Sequence, residues 1–130
     1  MKTELVYLTL VTVLTGLLWV PYILDRIATR GLIDAVGYPP DPAPQSPWAV
    51  RLMRAHRNAV ENLVVFATLV LVAQAAGVSD GMTATASVVF FWARAVHALA
   101  YLFAMPWVRT LAFTVGFFAQ AAIAWQLLVR

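Results

Sequence analysis

"RLMRAHRNAVEN", residues 51–62, runs directly into the apolar stretch "LVVFATLVLVAQAA", residues 63–76. The first stretch holds three arginines, a histidine, two asparagines and a glutamate; the second holds no charge. Charged side chains are costly in hydrocarbon and need a local partner or task. The junction therefore reads as one helix passing from a polar boundary into a membrane, with its charged end put to some use.

The rest of the chain agrees with a lipid setting. Of 130 residues, 62% are hydrophobic and 12% charged, with a mean hydropathy of +0.80. Soluble domains are typically about 45–50% apolar and about 25% charged, and so small a chain cannot bury the excess in a core of its own. The net charge of +3 would suggest nucleic acid in a soluble protein. Here the basic residues are few and tied to helix ends, so membrane orientation explains them and no nucleic-acid partner is expected. With no cysteine, disulfides, thiolate metal ligands and a cysteine nucleophile are excluded, and any thiol chemistry must use a bound thiol.

Four apolar segments imply an all-α, integral membrane four-helix bundle spanning residues 1–130 as one domain. Helices are expected at about 5–24, 47–76, 82–104 and 107–129. Pro21 should loosen the end of the first. Five of the seven prolines fall between Pro39 and Pro47, so the first connection reads as a stiff extended loop. Ser46 before Pro47 reads as an N-cap with proline at the first helical position. Arg26, Arg30, Arg51, Arg54, Arg57 and Arg109 flank the first connection and the third. The positive-inside rule places both of these in the cytoplasm and both termini, with Lys2 and Arg130, on the opposite side. Trp19, Trp48, Trp107 and Trp125 fit an aromatic belt.

At ~100° per residue, Arg51, Arg54, Asn58 and Glu61 fall within roughly 80° of one another, flanked by Arg57 and Asn62, while His56 points away. Arg94, His97 and Tyr101 form a stripe on the third helix, and Arg109, Phe113, Gly116 and Gln120 form one on the fourth, with Thr110 beside Arg109. Arg26, Arg30 and Arg130 are most simply headgroup contacts. Arg94 reads as a structural ion pair with Glu61, and His97 and Tyr101 read either as interhelical hydrogen-bonders or as site residues. Together these groups suit a small, multiply charged anion: arginines clamp carboxylates, Glu61 can take an ammonium, and Asn58 can hold an amide. There is no HExxH, no histidine–carboxylate triad and no serine–histidine pairing, so neither a metal nor a hydrolase site is expected.

"RLMRAHRNAVEN", then "ARAVHALAY", then "MPWVRTLAF", in this order across essentially the whole chain, resemble the MAPEG family, the membrane-associated proteins in eicosanoid and glutathione metabolism. The chain looks like a bacterial-type member, which would place it in the inner membrane. The resemblance implies a homotrimer with sites between subunits near the cytoplasmic face, and glutathione as cosubstrate. It assigns Arg57, Asn58 and Glu61, with Arg54, to glutathione binding on the second helix, and His97 and Tyr101 on the third. Arg109 matches the arginine beside the thiol, Thr110 a hydroxyl that often follows it, and Arg94 the structural arginine of the third helix. Phe113 departs from the pattern, standing where some members carry tyrosine. Arg26 and Arg30 are the candidates to complete the site from the first helix.

The resemblance thus implies a glutathione transferase- or peroxidase-like enzyme. A guanidinium against the sulfur would favour thiolate, and a lipophilic electrophile or hydroperoxide would arrive from the bilayer. Two alternatives remain open: a non-catalytic scaffold or lipid-binding trimer, and a small multidrug transporter. The transporter would need an acid deep in the first helix, and residues 5–24 carry no charge.

Overall fold

The structure, a computed structural model, describes residues 1–129; Arg130 lies outside the described residues. It is all helical: α1 (Thr3–Leu17), α2 (Trp19–Arg30), α3 (Leu32–Val36), α4 (Pro47–Ala76), α5 (Gly81–Leu102) and α6 (Pro106–Leu128). Because α1 and α2 stack end to end, four helical rods are long and apolar enough to cross a membrane: Thr3–Arg30, Pro47–Ala76, Gly81–Leu102 and Pro106–Leu128.

The first rod corrects the expected end near residue 24. It is interrupted at Leu18, where the amide falls back on Thr15 O at 3.4 Å, and then continues to Arg30. Proline has no N–H and its ring crowds the carbonyl four residues earlier, so Pro21 disturbs the helix at Leu17–Leu18 without ending it. Polarity from Asp25 onward does not break a helix; Gly31, at φ +77°, does. Part of the expected extended loop is therefore helix, and the stretch without regular structure shrinks to residues 37–46 after α3.

Ser46 occupies the N-cap position of α4 but makes no side-chain cap bond. Its hydroxyl donates instead to Asp25 Oδ1, and its amide donates to Asp25 Oδ2 at 3.0 Å. The charge-assisted bond turns the hydroxyl toward Asp25, and its oxygen caps no amide of the first turn. Gln45 Nε2 donates to Tyr22 O at 2.8 Å, and Arg30 Nε to Ala43 O at 2.8 Å. The proline-rich segment is thereby strapped to α2. Asp25→Ala should release it: limited proteolysis read by mass spectrometry is expected to show new cleavage within residues 37–46. Unchanged resistance there would show that proline stiffness alone holds the segment.

At the other end Glu4, 5% exposed, accepts from Ser79 Oγ at 2.6 Å. This sets the N-terminal end of α1 beside the α4–α5 connection. Gly77 ends α4 in the left-handed conformation at φ +70°, and Asp80 with Thr83 forms a reciprocal capping box that starts α5. The core is narrow, built on Val11, Phe66, Val70, Ala86, Phe90, Ala119 and Ile123. Phe66 and Phe90 stack with centroids 4.0 Å apart. Much of the exterior is large and apolar, including Val64, Leu71, Trp92, Leu99, Phe117 and Trp125, as a helix surrounded by lipid requires.

Candidate functional site

The polar residues gather at the end of the bundle away from Glu4. Arg51 is the first to find a fixed role. Its Nε and Nη2 both donate to Leu102 O at 3.1 Å, so a cation caps the carbonyl end of α5, where the helix dipole favours positive charge. This bond ties the start of α4 to the end of α5. Beside it a cavity of about 260 Å³ is lined by Arg51, Arg54, Tyr101 and Arg109, closed by Ala104, Met105 and Pro106.

A second cavity, about 240 Å³, is lined by Asn58, His97, Tyr101, Arg109, Thr110 and Phe113. Arg109 and Tyr101 form the wall shared with the first. The Arg109 guanidinium lies 4.9 Å from the centroid of the Tyr101 ring, a cation–π contact that holds the group without occupying its N–H donors. His97 is buried, with its ring edge-on to Tyr101 at 5.6 Å. Thr110 and Phe113, one turn apart on α6, are exposed in the single chain.

Arg94, 4% exposed, stands behind this cavity. The expected ion pair with Glu61 is replaced by a hydrogen bond to an amide: Arg94 Nη2 donates to Asn58 Oδ1 at 2.7 Å. The same Nη2 is 3.4 Å from His97 Nδ1, and Nε is buried without a partner. Asn62 Nδ2 also points at Asn58 Oδ1, at 3.2 Å, and Gln120 Nε2 donates to Asn62 O at 3.0 Å. The stripes of α4, α5 and α6 thus meet in one connected polar network.

Glu61 and Arg57 lie elsewhere. They line a third cavity, about 330 Å³, with Tyr22, Met53, His56 and Val60. There Tyr22 Oη is 2.8 Å from His56 Nδ1. The helical wheel grouped Arg57 and Glu61 with Arg54 and Asn58 and set His56 apart. Within one chain α5 and α6 cover one flank of α4 and α2 covers the other, so the polar stripe is split between them. Tyr22 and Asp25 are the residues that sequence reasoning missed. The one available signal was a phenol one helical turn before Arg26, at the depth of His56. Two apolar grooves between α5 and α6, about 530 and 410 Å³, share Val89 and Val115 and carry no charged lining; they are suited to hydrocarbon and not to an anion. Among the described residues no group of three or more His, Asp or Glu is placed to hold a metal ion.

A family model described as MAPEG family covers residues 5–129. No curated protein matches the chain.

Proposed function

The chain belongs to the MAPEG family, and from that premise we propose that it is a glutathione-dependent membrane enzyme that activates the thiol for attack on a lipophilic electrophile or hydroperoxide. The observation that carries the reading is the cation excess around a small polar cavity. Arg94 is hydrogen-bonded to a neutral amide and not paired with a carboxylate, and Arg109 rests on an aromatic ring. A bound anion supplies the missing counter-charge, and at a low-dielectric site that attraction is strong.

In this reading Arg54 takes a carboxylate of the tripeptide, and Asn58, His97 and Tyr101 hold its peptide groups. Arg109 faces the sulfur with Thr110 as an auxiliary donor. A guanidinium in that position lowers the cost of the charged thiolate, the form that attacks. Arg57 and Glu61 lie on the α2 side of α4, so they reach the same ligand only across a subunit boundary. A homotrimer, one chain's α2 flank facing the next chain's α5–α6 flank, meets that requirement and lets the second substrate enter laterally from lipid. The arginine-rich end faces the cytoplasm by the positive-inside rule.

Titrating glutathione into detergent-purified protein tests the proposal. Saturable binding with ultraviolet thiolate absorbance near neutral pH is the expected result, followed by turnover with lipophilic electrophiles or hydroperoxides. An intact trimer that binds no glutathione would instead support a non-catalytic scaffold.

A further inference from the structure

We infer that Arg94 is a positioning residue that sets the hydrogen-bond polarity of the cavity at Asn58 and His97, turning both into donors and so selecting a ligand rich in acceptors. The thiol-peptide reading supplies such a ligand, and the selectivity part of this inference rests on it.

A guanidinium carries five N–H donors and no acceptor. Whatever lies against it must present a lone pair. Asn58 therefore turns its oxygen to Arg94 Nη2 at 2.7 Å, and the Asn62 amide reinforces that orientation from the other side at 3.2 Å. The Asn58 NH₂ is the part left for the cavity. The same reasoning applies to His97. Its Nδ1 is 3.4 Å from Arg94 Nη2, so Nδ1 holds the lone pair and Nε2 carries the proton, because the two ring nitrogens of a neutral imidazole have opposite roles. Both residues line the cavity that Arg109 and Thr110 also face. One buried cation thus leaves Asn58 and His97 as donors beside the Arg109 and Thr110 donors, matched to carbonyls, carboxylates and a thiolate.

Arg94 is ill suited to a purely structural role. It is buried at 4% exposure with Nε unpartnered, and orphaned buried donors destabilise a fold. A guanidinium also keeps its donors under all ordinary conditions, which is the property a fixed polarity needs.

Two measurements test this. Asn58→Asp keeps an oxygen for Arg94 and turns the contact into an ion pair, but its second oxygen replaces the NH₂ with an acceptor. The variant is expected to stay assembled with an unchanged or raised melting temperature, while glutathione affinity falls about tenfold to a hundredfold. Wild-type affinity in N58D would overturn the inference. Separately, nitrogen-15 spectra of the two histidines, assigned with His97→Asn, should show His97 protonated at Nε2. Arg94→Lys should keep that tautomer and Arg94→Met should mix it. A wild-type His97 protonated at Nδ1 would overturn the inference without any variant. A wild-type protein that binds no glutathione would remove the proposed function, and the histidine spectrum would still decide the role of Arg94.

Discussion

Arg109→Ala should lower turnover by about two to three orders of magnitude, the loss typical when a donor aimed at developing negative charge is removed. Glutathione affinity should fall far less, because Arg54, Asn58, His97 and Tyr101 remain. The reason lies in where the guanidinium sits. It forms the wall between two cavities and is braced by the Tyr101 ring at 4.9 Å, so it is held in place with its N–H groups available. Arg109→Lys should recover part of the rate, since the charge survives while the planar fork does not. Stopped-flow thiolate absorbance beside steady-state kinetics checks both variants. Unchanged thiolate formation in R109A would remove Arg109 from the reaction.

Phe90→Ala should cost about 3–5 kcal/mol of stability, the range for deleting a buried aromatic ring. Phe90 is fully buried and stacks on Phe66 across the α4–α5 contact. Gly116 of α6 lies close enough that a Cβ there would meet the ring at 3.8 Å. The ring therefore fills the space where three helices approach, and lipid outside cannot collapse into the hole. Arg94 follows one turn later on α5, so loosening this contact should also weaken glutathione binding. Trp92→Ala is the control: at 59% exposure it should change stability by less than about 0.5 kcal/mol. Equilibrium unfolding in detergent compares the two, and equal losses would mean that exposed and core aromatics contribute alike.

The membrane character was legible because it depends on composition and period alone. A chain 62% hydrophobic with uncharged runs such as residues 63–76 permits little besides membrane-length helices, and the structure has four such rods. The end of the first rod was misplaced because hydropathy marks where lipid stops, whereas a helix stops only where its backbone is broken. Asp25 marks the first of these and Gly31 the second. Ser46 and Pro47 do take the N-cap and first helical positions, without a side-chain cap bond. The Ser46 hydroxyl donates instead to the Asp25 carboxylate, a partner distant in sequence that no local motif could reveal.

The candidate site was half legible. Helical spacing brought Arg94, His97 and Tyr101 onto one stripe, and they do share one end of α5 beside Asn58 and Arg109. Spacing could not tell which neighbour each flank of α4 would meet. "RLMRAHRNAVEN" is a single stripe on a wheel, yet packing divides it: Arg54 and Asn58 go to α5 and α6, while His56, Arg57 and Glu61 go to the side of Tyr22. The lipid solvent, the four membrane-length apolar segments and their polar faces follow from the sequence alone, because periodicity and transfer energy belong to each segment. That Arg94 answers to Asn58 and not to Glu61 came from packing, because a hydrogen bond depends on which surfaces are pressed together.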